Sequence, residues 1–92
     1  MAVDFFTEKK GSIVYSISVS DMNYYEEVLE IFNKKYNDLF DIYNDFTLYN
    51  NHITYLMEVV GNFSNKSEEL NKFYDFLVNI SNHNKNLFIN GE

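Results

Sequence analysis

Hydrophobic and polar residues alternate most regularly over residues 12–20. There Ile13, Tyr15, Ile17 and Val19 interleave with Val14, Ser16, Ser18 and Ser20. A period of two with one polar face predicts a half-buried strand. Residues 3–7, Val-Asp-Phe-Phe-Thr, come before it, and Glu8-Lys9-Lys10-Gly11 joins the two. A short connection ending in glycine predicts an N-terminal hairpin whose last turn position needs positive φ.

The period then changes. Tyr25, Val28, Leu29, Phe32, Tyr36 and Leu39 recur at helical spacing, with Glu26, Glu27, Glu30, Asn33, Lys34, Asn37 and Asp38 between them. Asp21 is the candidate N-cap. The pattern predicts a helix over 22–39, and the same period extends to Tyr43. Residues 46–49 and 52–60 alternate again around Asn50-Asn51. Asparagine tolerates the left-handed backbone of a two-residue turn, so this segment reads as a second hairpin. Pairing Tyr49 with His52 sets Leu48 opposite Ile53 and Phe46 opposite Tyr55. Phe46, Leu48, Ile53, Tyr55, Met57 and Val59 then share one face, and Gly61 ends the strand.

Ser64 to Ser67 supply caps for another helix, whose first turn holds Glu68 and Glu69. Leu70, Phe73, Tyr74, Leu77 and Ile80 form its apolar stripe, widened by Phe76. The polar run 81–86 breaks it, and Leu87-Phe88-Ile89 reads as a short last strand or a docked tail. The expected fold is α+β: an antiparallel sheet of four to five strands with two helices on one face, in the order ββαββα. Residues 1–92 form a single domain, as the length dictates. Ile13, Tyr15, Ile17, Leu29, Phe32, Ile53, Tyr55, Phe73 and Leu77 are the expected core.

Composition narrows the chemistry. The chain has no Arg, Cys, Trp, Pro or Gln, and its formal charge is −7, from seven lysines against fourteen carboxylates. Without cysteine there is no disulfide framework and no thiolate chemistry. Nucleic-acid binding needs clustered cations. Here Lys9, Lys10, Lys34, Lys35, Lys66, Lys72 and Lys85 are scattered, so no direct nucleic-acid contact is expected. An acidic surface favours a basic protein surface as partner. The opening Met1-Ala2-Val3-Asp4 carries no basic region followed by an apolar run, and no apolar stretch approaches the roughly 18 residues of a membrane span. A cytoplasmic protein without membrane contact is the expectation.

Catalytic signatures are missing. His52 and His83 have no Cys or second His at ligand spacing, so no metal is expected. Ser16, Ser18 and Ser20 lie on one strand face, not at a strand–helix elbow, and Gly11, Gly61 and Gly91 are too far apart for a phosphate loop. No catalytic residue and no cofactor is expected, and the chain reads as a non-enzyme. The carboxylates are the remaining signal. Glu26, Glu30, Asp38 and Asp41 recur near helical spacing, with Glu27 and Asp45 nearby. Together they form a candidate partner-binding edge on the solvent side of the first helix. Tyr24, Tyr43 and Tyr49 lie off the apolar faces and suit a protein-contact surface.

The strand of Ile13–Val19, the helix of Tyr25–Leu39, the Asn50-Asn51 turn and the last helix together resemble a small ferredoxin-like or ACT-like module. Nickel-regulator C-terminal domains share this layout, but only His52 falls in the comparable hairpin, so their metal site is not carried over. Small size, acidity and the Asn/Lys/Tyr-rich composition are similar in character to phage-encoded inhibitors such as anti-CRISPR proteins. That resemblance implies an inhibitor that occupies the basic, nucleic-acid-binding surface of another protein. The ACT-like resemblance implies instead a homodimer or larger oligomer, paired through sheet edges, that senses a small ligand.

Overall fold

The computed structural model describes residues 2–63 and 67–91. Four strands form one antiparallel sheet: β1 (Ala2–Phe6), β2 (Tyr15–Ser18), β3 (Phe46–Leu48) and β4 (Leu87–Asn90), in the order β2-β1-β4-β3. A 3-10 helix (Val19–Tyr24) leads into α1 (Glu26–Tyr36), while α2 (Asn50–Gly61) and α3 (Glu68–Asn82) separate β3 from β4. The α+β class and the antiparallel sheet are as the pattern predicts.

Register explains which face is covered. Phe5 stands opposite Tyr15 and Ile89, Val3 opposite Ile17, Phe46 opposite Ile89, and Leu48 opposite Leu87. These side chains share the face on which the helices pack. The other face carries Asp4 between Ser16 and Asn90, with Phe6 and Thr47 flanking Phe88. The Ser16 hydroxyl donates to Asp4 Oδ1 at 2.7 Å there. In the helical layer α2 lies between α1 and α3. Aromatic edges close the core: Phe5 meets Phe73 at 5.9 Å, Tyr25 meets Phe73 at 5.3 Å, and Tyr15 stacks on Phe76 at 4.5 Å. Such pairs add to what burial alone contributes.

The second hairpin does not form, so among the described residues the order is ββαβααβ, with three α-helices in place of two. Asn50-Asn51 opens α2. The backbone N–H of Tyr49 donates to His52 Nδ1 at 3.1 Å, which satisfies a donor at the helix entry. The strand register sets Leu56 on the polar side, yet Leu56 is 0% exposed. Ile53, Leu56 and Val60 are buried while Thr54 and Glu58 are exposed, a helical period. The β-branched residues of this segment favour a strand locally, and tertiary burial overrides them.

Other boundaries move too. Val3–Phe5 belongs to a central strand, and the predicted N-terminal hairpin is present. The long strand of 12–20 shrinks to Tyr15–Ser18, and Ile13, expected in the core, is 54% exposed. Asp21 is not an N-cap but sits inside the 3-10 helix. The first helix stops at Tyr36 because Asn37 and Asp38 take left-handed backbone, at φ 54° and 60°. No described glycine has positive φ, Gly11 included; Asn37, Asp38 and Asn84 hold those positions. Ser67 caps α3, its Oγ accepting from the Leu70 N–H at 3.1 Å; Ser64 lies outside the described residues. Leu70, Phe73, Leu77 and Ile80 are buried as the stripe predicts. Leu87-Phe88-Ile89 is the short last strand and not a docked tail: it forms most of β4, between β1 and β3.

Candidate functional site

The candidate site is built where α1 ends and the chain turns back. The Asp38 N–H donates to the Asn33 carbonyl at 3.0 Å as the backbone reverses. The Asn33 side chain then clamps Phe40 at two points. Its Nδ2 donates to the Phe40 carbonyl at 3.0 Å, and its Oδ1 accepts the Phe40 N–H at 2.9 Å. The clamp drives the Phe40 ring into the core, 4.8 Å from Phe46 and 6.2 Å from Phe5. Asp41 shapes the next turn. One carboxylate oxygen accepts the Tyr43 N–H at 2.9 Å and the other accepts from Asn44 Nδ2 at 2.7 Å. Asp45 Oδ1 accepts the Gly91 N–H at 3.1 Å and ties the loop to the end of β4. A Cβ on Gly91 would stand 2.6 Å from backbone atoms of Asn44 and Ile42, so only glycine fits beneath the loop.

Between α1 and this loop runs an open groove of about 490 Å³. Leu29 and Phe40 form its buried floor, with Met22 and Ile42 half-buried beside them. Glu26, Glu30, Asp38 and Asp41 line its rim, and Tyr43, 70% exposed, closes one side. Glu30 has a weak counter-ion, Lys34 Nζ at 3.9 Å, with both side chains largely in water. Such a pair contributes little and leaves Glu30 free to change partner.

Of the six carboxylates singled out in the sequence, the fold brings four together on this groove. Glu27 lies instead on a smaller hollow of about 150 Å³ with Asn23, Tyr24, Ser67 and Leu70. Asp45 lines a third concavity of about 320 Å³, on the open side of the sheet with Lys9, Phe6 and Phe88. The sequence does not single out Met22, Asn33, Phe40 or Ile42 for the site. The Asn37-Asp38 pair was the available signal. Both residues tolerate left-handed backbone, so a helix stop there would have placed Phe40 and Ile42 outside α1.

The histidines have structural surroundings. The His52 ring accepts from the Tyr49 N–H and packs edge-on to Tyr36 at 4.7 Å. Burial holds its pKa below the ordinary histidine value. His83 Nδ1 lies 2.7 Å from the Asn79 carbonyl. Among the described residues, no group of three or more His, Asp or Glu is placed to hold a metal ion, and no helix is long and apolar enough to cross a membrane. Tyr15 and Tyr25 hydrogen-bond side chain to side chain at the edge of the core, and burial raises both phenols. No protein-family model, curated protein or solved structure matches this chain.

Proposed function

We propose that this chain is a non-enzymatic, acidic protein-binding module whose α1 groove takes a basic surface of a partner protein. By covering that surface it would act as an inhibitor of the partner's nucleic-acid binding, in the manner of anti-CRISPR proteins. The observation that supports this most is the groove itself. An apolar floor continuous with the core is rimmed by Glu26, Glu30, Asp38 and Asp41, in a chain of charge −7. Floor and rim have separate tasks. Apolar contact supplies affinity, whereas the carboxylates steer the encounter and select a cationic partner.

The test is capture of the partner by the intact chain, followed by charge reversal. Changing Glu26, Glu30 and Asp38 together to Lys should slow association about tenfold or more at low salt. Raising ionic strength should weaken the wild-type complex, because exposed charges are screened over about 10 Å at 0.1 M. Reversing the exposed Glu58 and Asp75 should do neither to a comparable degree. Equal losses from both sets would mean that net charge, not the groove, drives capture. Displacement of the partner's nucleic acid by the chain tests the inhibitory part.

A further inference from the structure

We infer that the occupant of the α1 groove is a basic amphipathic α-helix of the partner, and not an extended strand, a disordered cationic tail or a small molecule. This rests on the groove being the binding site. The form of the occupant follows from what the groove lacks. Its walls are a helix and an irregular loop, not a sheet edge. The N–H groups of Phe40, Tyr43 and Asn44 and the Phe40 carbonyl already have partners within the chain. An added strand would find no ladder here to pair with, so it would gain none of the main-chain bonds by which strand addition binds. A helix arrives with its backbone bonds made and recognises by side chains alone.

The layout of floor and rim matches one face of such a helix. Met22, Leu29, Phe40 and Ile42 are apolar, while Glu26, Glu30 and Asp38 stand exposed beside them. Apolar residues at i, i+3/i+4 and i+7 would meet the floor, and flanking Lys or Arg would meet the carboxylates. α1 has 11 residues, a length of about 16 Å, which is room for roughly three turns of a partner helix. A cationic tail alone would leave the floor wet. A small molecule would find no enclosing pocket, since the polar side chains that line the groove are all exposed or half-buried.

The experiment uses the intact chain and three synthetic peptides of about 14 residues. One places Leu and Lys in a helical repeat, one has the same composition in strict alternation, and one is oligolysine. Affinity is read by fluorescence anisotropy, and the site by backbone amide shifts. The helical peptide should bind about tenfold or more tighter than either control. Its shifts should cluster at residues 22–43. The neutralising set Glu26→Gln, Glu30→Gln and Asp38→Asn should weaken it about tenfold, and the amide spectrum reports whether each variant stays folded. If the three peptides bind equally in the groove, the helical occupant is wrong and the acidic groove stands. If the helical peptide binds elsewhere, or ignores the neutralised rim, both readings fall. If no peptide binds, the helical occupant is overturned, and the capture experiment alone judges the groove.

Discussion

The α1 groove and the hollow on the open side of the sheet are both concave and both part aromatic, but they are built differently. The floor of the groove is the core itself: Leu29 and Phe40 face the groove with one edge and the buried cluster with the rest. The floor of the hollow is Phe6 and Phe88, which point away from the core on the outer side of β1 and β4. The groove wall is a loop held by side-chain clamps, whereas the hollow rests on a backbone ladder. Their charges differ as well: the hollow holds both signs, Asp45 and Lys9, whose Nζ sits 5.8 Å from the Phe88 ring, while the charged groups on the groove rim are all carboxylates. A surface can therefore be tightly coupled to stability at its floor and decoupled along the helical part of its rim, Glu26 and Glu30, while Asp41 is tied into the loop. The groove has that division; the hollow does not.

Truncating the two floors separates them most. Phe40→Ala should cost about 3–5 kcal/mol, a large part of what a small domain has. Phe88→Ala should cost about 1–2 kcal/mol, since its ring is already partly in water. Urea unfolding of both variants measures the gap, and equal costs would erase the distinction. Gly91→Ala attacks the groove from beneath. Its Cβ must displace the backbone of Asn44 and Ile42, at about 1–3 kcal/mol. The ladder under the hollow should keep its amide protection while the 41–45 loop loses it, which hydrogen exchange can read. Asn33→Ala removes both bonds to Phe40 and should cost about 2 kcal/mol. Thermal unfolding gives the cost, and reduced partner capture would show that the clamp shapes the groove.

The smallest effect comes from pH and belongs to neither concavity. His52 has a folded-state pKa below its ordinary value near 6.5, through desolvation. The unfolded chain therefore binds this proton more readily. Its contribution is intact above the unfolded pKa and is lost as pH falls through the folded one. Protonation also removes the acceptor for the Tyr49 N–H and places positive charge at the start of α2. Stability should decline as pH falls through the ordinary histidine value near 6.5, and His52→Asn should flatten that slope. A variant with the same slope would show that other groups carry it.

Local pattern was enough where one face is covered and the partner lies close in sequence. Tyr15 to Ser18 alternates and pairs with the nearby Val3–Phe5, so the hairpin is legible from the chain. Its register is not: a connection of residues 8–11 would set Thr7 opposite Ser12, whereas the strands pair Phe5 with Tyr15 across residues 7–14. The stripe of α3 and its Ser67 cap are legible for the same reason, and so is the acidic side of α1. Residues 52–60 could not be resolved this way. Ile53, Tyr55, Met57 and Val59 fit period two, whereas Ile53, Leu56 and Val60 fit the helix. Only the helices on either side of the segment, α1 and α3, decide that Leu56 goes inward. β4 carries four residues and no local sign of its place, because its partners β1 and β3 lie far away in the chain. The groove is of this second kind. Its carboxylates were visible as a spacing, but its floor joins Met22 and Leu29 to Phe40 and Ile42. That junction exists only because two left-handed residues turn the chain back and Asn33 holds it there.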